Sequence, residues 1–182
     1  MSDDEPRSPQ AEPPNPQRGL GVGMTIAMWV VVLGLMTLFF QNWQEKQYNP
    51  NQRLALGEAD GGGRELVLQR NRYGHYVASG YINGQPVVFL LDTGATDISV
   101  PQALAREIGL QRGAELRYQT ANGTISVYAT TLDTVDLGGI VLRQVRASIN
   151  PHMQGDEVLL GMSFLKHLEF TQRGNELTLR QY

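Results

Sequence analysis

The 182-residue sequence has no cysteine, which excludes disulfide scaffolds, zinc–thiolate centres and thiol nucleophiles, although it is compatible with either redox compartment. Histidine is scarce: His75, His152 and His167 are far apart and show no ligand spacing, so they read as ordinary surface or turn residues and no metal is expected. An excess of basic charge is also missing. Fifteen Lys and Arg stand against 18 Asp and Glu, a net charge of -3, which leaves no stripe for a phosphate backbone and argues against a nucleic-acid partner. The length suits one modest domain plus accessory segments and is too short for two full catalytic lobes.

Charge disappears altogether over one stretch. From Leu20 to Phe40 the chain is almost wholly apolar and, at 1.5 Å per residue, reaches about 30 Å as a helix, the thickness of a bilayer core. A single transmembrane helix is expected over residues 20–40. A secretory signal peptide fits less well, because the run is longer than its apolar region and Phe39-Phe40-Gln41-Asn42-Trp43 offers no small-residue cleavage site. Trp43 and Tyr48 then fall where an aromatic belt meets headgroups. Arg7 and Arg18 before the span are balanced by Lys46 and Arg53 after it, so charge bias barely orients it. Residues 1–19, rich in proline and acid, read as a disordered tail, and residues 41–64, rich in Asn, Gln, Pro and Gly, as a flexible linker.

Residues 65–182 read as an all-β domain of short strands between turn signals. Asn83-Gly84, Asn122-Gly123, Gly138-Gly139 and Arg173-Gly174-Asn175 each separate two β-type runs. One continuous run is expected from Glu65 to Gln69, others from His75 to Ile82 and from Pro86 to Leu91. Beyond them come Glu115 to Gln119, Thr124 to Thr131, Thr134 to Leu137 and Ile140 to Ile149. One short helix is signalled, starting at Pro101 and ending near Gly109.

The chemistry centres on one carboxylate. The apolar run Val87-Val88-Phe89-Leu90-Leu91 leads directly into Asp92-Thr93-Gly94-Ala95-Thr96, and burying a carboxylate there demands partners. Alone, such a triplet is more often a turn. A second apolar strand, Val158-Leu159-Leu160, ends in Gly161-Met162-Ser163-Phe164-Leu165. Together, in this order and separation, the two motifs resemble the retropepsin-like aspartic proteases. The apolar N-terminal segment and the wording Leu160 to Leu165 resemble bacterial membrane-bound members of that clan.

The resemblance implies a closed β-barrel lobe of the acid protease fold, with Asp92 catalytic and Thr93, Gly94, Ala95 and Gly161 supporting its loop. It also implies a flap whose candidate tip is Thr120, Ala121, Asn122 and Gly123, and an endopeptidase that needs no metal or organic cofactor. Because the dyad takes two carboxylates and no other aspartate is followed by Thr/Ser-Gly, each site would need a homodimer, with one Asp92 per subunit. Viral members pair an acidic residue two places after the motif glycine with an Arg after the later glycine; here both are replaced, by Thr96 and Met162. The partners expected are therefore a second copy, a protein or peptide substrate and the membrane. From the bacterial resemblance follows an inner-membrane location, with the N-terminus cytoplasmic and the protease domain periplasmic. A catalytically inactive module that binds peptides or dimerises at the membrane is the alternative.

Overall fold

The computed structural model describes residues 16–59, 61–120 and 123–182, and divides into two units, Met1–Trp43 and Gln44–Tyr182. Of the expected tail, residues 1–15 lie outside the described residues, and Pro16 already opens helix α1 (Pro16–Tyr48). Met24, Trp29, Leu33, Leu38 and Phe39 are exposed along it. Thr25 and Thr37, the two polar side chains between Gly21 and Phe40, donate their hydroxyls to the carbonyls of Gly21 and Leu33, at 2.9 and 2.8 Å. The stretch Gly23–Tyr48 is long and apolar enough to cross a membrane.

The second unit is mostly β. Its strands are β1 (Leu56–Glu58), β2 (Arg64–Gln69), β3 (Val77–Ile82), β4 (Gln85–Leu91), β5 (Ile98–Pro101), β6 (Glu115–Thr120) and β7 (Gly123–Leu137). They continue with β8 (Ile140–Asn150), β9 (Glu157–Leu160), β10 (Glu169–Arg173) and β11 (Glu176–Gln181). Two short helices, α2 (Gln102–Glu107) and α3 (Met162–Leu165), follow β5 and β9.

Seven strands form a sheet in the order β3-β4-β9-β5-β8-β7-β6, and β3 also pairs with β7 through Tyr81↔Asp136 and Ile82↔Val135. That second pairing closes six strands into a barrel and leaves β6 outside it, which is the closed lobe expected from the sequence. Gly80 sits at the seam: a β-carbon there would lie 2.4 Å from the Asp136 carbonyl oxygen and 2.7 Å from the Phe89 ring. Phe89, Ile98, Leu132, Leu160 and Phe164 fill the interior, all fully buried. The remaining strands, in the order β1-β2-β11-β10, lay Leu66, Leu68, Leu177 and Leu179 against the same core.

The tight turns arise where glycine and asparagine permit them. Asn83 and Gly84 have φ of 51° and 78°, and Gly138 and Gly139 58° and 94°, positive at both central residues as a two-residue hairpin requires.

Three features differ from the expectations. Thr124 to Leu137 is one long strand, not two, because β8 pairs along nearly its whole length. Strand β5 was not foreseen: four residues carry little pattern, yet β8 and β9 flank it on both sides. Pro101 consequently ends that strand and caps α2 rather than starting it, with φ -55° and ψ 140°.

The third concerns the linker expected over residues 41–64. Helix α1 runs on to Tyr48, and Asn49 and Asn51 are buried. The Asn51 amide donates to the carbonyls of Val77 (2.7 Å) and Gln69 (2.9 Å), and its Oδ1 accepts from Gln69 N (2.7 Å). Tyr48 hydrogen-bonds Glu157, and Asn49 donates to the Ser79 hydroxyl at 3.0 Å. Much of that segment is thus bolted to the barrel.

Candidate active site

Strand β4 ends at Leu91, which pairs in parallel with Leu160 of β9, so the two motifs recognised in the sequence emerge side by side. The Asp92 amide donates to the Leu160 carbonyl at 3.2 Å. Beyond Gly161 the chain continues to hold the loop from beneath: Met162 N donates to Ala95 O at 2.8 Å and Ser163 N to Thr96 O at 2.9 Å. The Ser163 hydroxyl accepts from Ile98 N at 3.0 Å. Glycine is required at 161 because a β-carbon would come within 2.3 Å of the Asp97 carbonyl oxygen and 2.6 Å of that of Ala95.

Asp92 itself is half-buried, and its Oδ1 accepts from Gly94 N at 2.8 Å, while Ala95 N closes the turn onto the Asp92 carbonyl at 3.2 Å. The main chain thereby fixes the orientation of this carboxylate. Thr93 and Gly94 are exposed, and the Thr93 hydroxyl has no hydrogen-bond partner among the described residues.

Two cavities meet at Asp92. The larger, about 540 Å³, is floored by Ser99, Ser148, Asn150 and Leu159 and roofed by Tyr118, Gln119 and Ile125 of the β6–β7 hairpin. The smaller, about 360 Å³, lies toward Thr93 between Leu91, Leu165 and Phe170. Of the candidate flap tip, Thr120 pairs with Gly123, whose φ is 111°, while Ala121 and Asn122 lie outside the described residues.

One group of residues escaped sequence reasoning. Asp97, 4% exposed, accepts from Arg146 Nε at 2.7 Å and from the Tyr118 hydroxyl. Burial, and next the hydrogen bond to Asp97, push the Tyr118 phenol up to about 12, and the same carboxylate raises the Arg146 guanidinium. Where viral members pair the position of Thr96 with that of Met162, this chain pairs its neighbour Asp97 with Arg146 on β8. The contact fastens the hairpin to the cleft floor. Alternation along β8, Arg146-Ala147-Ser148-Ile149-Asn150, was the available signal, since it places Arg146 on the polar face.

A barrel closed around two interleaved strand ends, one delivering an aspartate and the other a glycine, defines the acid protease class. Comparison with known proteins agrees. The family described as "gag-polyprotein putative aspartyl protease" matches residues 78–167. The uncharacterized protein in the cobV 5' region of a Sinorhizobium species is 33% identical over 170 residues, covering 85% of this chain and 72% of its own. An uncharacterized protein of Rickettsia prowazekii is 26% identical over 122 residues, 65% of this chain and 52% of the relative, so the chain spans about half of that protein. Among solved structures, a retropepsin-like aspartic protease from Rickettsia conorii superposes with a TM-score of 0.54 at 23% identity, covering 71% of this chain and 95% of that one, a likeness of fold. The chain belongs to the retropepsin-like aspartic protease family.

Proposed function

We propose that this protein is a membrane-anchored aspartic endopeptidase whose active site forms between two copies of the chain, with Asp92 of each as the catalytic carboxylate. The observation that carries the reading is the half-site itself. Asp92 is oriented by Gly94 N at the edge of a covered cleft, on a loop locked by Gly161, while Thr93 beside it stays exposed, its hydroxyl without a partner among the described residues.

Two such carboxylates about 3 Å apart cannot both ionise, so the pair shares one proton. One accepts a proton from the attacking water while the other donates to the carbonyl oxygen of the scissile peptide. Thr93, Gly94, Ala95 and Gly161 set the loop, and the segment from Thr120 to Gly123 serves as the flap tip over an extended peptide. Thr93 finds its hydroxyl partner across the two-fold axis. Neither metal nor organic cofactor is needed for this chemistry.

Helix α1 supports a membrane anchor; its placing in the bacterial inner membrane, with the N-terminus cytoplasmic and residues 65–182, the protease domain, in the periplasm, rests on the resemblance to bacterial membrane-bound members. Cleavage of that domain by protease added to spheroplasts would bear the orientation out, whereas protection would overturn it.

The activity is tested by incubating the full chain in detergent micelles with a peptide library between about pH 4 and 7, beside Asp92→Asn. Loss of cleavage by about a thousand-fold or more is expected in the variant, with its fold retained. Cleavage that survives the substitution would refute the assignment.

A further inference from the structure

The pairing register sets Leu159, Ser99, Ser148 and Ala129 side by side across β9, β5, β8 and β7. With the two-residue period of a strand, Ser148 and Asn150 share this face, and Asp97 and Ser99 join them, whereas Ile98, Val100, Ala147 and Ile149 turn into the core. The face is the floor of the cleft that Asp92 borders. Four polar side chains thus stand on it beside Leu159 and Ala129.

Asp97, Ser99, Ser148 and Asn150 are all 9% exposed or less, so each needs a hydrogen-bond partner. Three have one. Asp97 is held by Tyr118 and Arg146, the Ser99 hydroxyl donates to Met153 Sδ at 3.2 Å, and Asn150 Oδ1 accepts from His152 N at 2.9 Å. The Ser148 hydroxyl, on a residue 1% exposed, has no partner among the described residues.

We propose that Ser148 is the recognition group of a polar subsite, which takes an uncharged hydrogen-bonding side chain of the bound peptide: Ser, Thr, Asn or Gln. This rests on the peptidase reading of the same cleft and narrows its substrate class. A charged side chain is disfavoured because Asp97, the carboxylate on this face, is already matched by Arg146, and Arg117, which also lines the cleft, is exposed, so that an acidic side chain would meet only a solvent-screened charge. An apolar side chain of the same shape would leave the Ser148 hydroxyl unsatisfied, and a site built to hydrogen-bond discriminates against such an isostere.

Matched peptides that exchange Thr for Val, or Asn for Leu, at each position in turn test this on the full chain in detergent micelles. At one position the polar peptide should be cleaved about 10-fold better than its apolar match. Ser148→Ala, a substitution that removes one oxygen and little volume, should bring that ratio near one by lowering kcat/KM for the polar peptide alone. No preference at any position, or a preference unmoved by Ser148→Ala, overturns the subsite; so would a hydroxyl that merely holds a water. Binding of the same peptides to Asp92→Asn, read by fluorescence anisotropy, separates the two proposals. Ser148-dependent binding without cleavage by the unsubstituted chain overturns the peptidase and leaves the subsite standing. Cleavage without a Ser148-dependent preference does the reverse, and absence of both binding and cleavage overturns both.

Discussion

A β-carbon built on Gly161 meets two carbonyl oxygens, those of Asp97 and Ala95, at 2.3 and 2.6 Å, and both belong to the loop that carries Asp92. Main-chain atoms cannot rotate away as a side chain can. Gly161→Ala should therefore push β9 off the loop and cost about 3 kcal/mol, overpacking at a point where the hydrogen bonds from Met162 and Ser163 would also stretch. Urea unfolding of the variant beside the parent measures it; a loss well under 1 kcal/mol would mean that the loop is softer than its bonding implies. Tyr118 offers a test by pH. Its phenol is raised from 10.0 to about 12, so the folded chain keeps a proton that the unfolded chain releases. The stabilisation is complete below pH 10 and is lost as pH rises toward 12. Because Tyr118 is only half-buried, solvent screening keeps the loss small. Between about pH 9 and 11.5 the parent should lose more stability than Tyr118→Phe, and parallel curves would discount the bond to Asp97. Asp92 and Gly161 were legible in the sequence because each closes its own apolar strand in a local motif. The contacts of Asp97 were not, since Tyr118 and Arg146 lie 21 and 49 residues away and meet it only once the barrel closes.

Asn51 illustrates what a loop-like composition conceals. A run of Asn, Gln and Pro lacks periodicity whether it floats free or docks, because docking through side-chain amides to strand main chain needs no apolar stripe. Here the Asn51 amide satisfies the edges of β2 and β3 at Gln69 and Val77, and its own carbonyl accepts from Ser79 N at 3.2 Å. Removing it strands buried main-chain groups on both strands. Asn51→Ala should cost about 3 kcal/mol, and a fragment beginning at Glu65 should be less stable than one beginning at Gln44 by at least as much. Thermal unfolding of the two fragments, side by side, decides it; equal midpoints would return residues 44–64 to the status of a tether. The hairpins at Asn83-Gly84 and Gly138-Gly139 were readable because positive φ at consecutive residues selects so few residue types. Strand β5 was unreadable because Ile98–Pro101 is made a strand by its two neighbours rather than by its own pattern.

One Asp-Thr-Gly per chain gives the proposed enzyme a concentration dependence that a two-lobed protease would lack. Below the dimer dissociation constant, each ten-fold dilution of a fragment beginning at Gln44 should lower its activity per chain by about ten-fold. Full-length chain in vesicles should resist the same bulk dilution, because a shared bilayer holds two copies at high effective concentration. Dilution alone does not prove that both carboxylates come from Asp92, but mixing does. If partners exchange freely, ten parts of Asp92→Asn added to one part of unsubstituted fragment, at concentrations where dimers predominate, leave an unsubstituted chain an identical partner about one time in eleven. Activity should then fall about ten-fold, although no active chain has been removed. A site complete within one chain would be untouched by the inactive partner. If dimers formed but only one Asp92 were needed, mixed dimers would still cleave and activity would rise toward about two-fold, because each unsubstituted chain would then complete a site of its own. The titration thus reads the number of aspartates in the site directly, from the curvature of activity against the fraction of inactive chain.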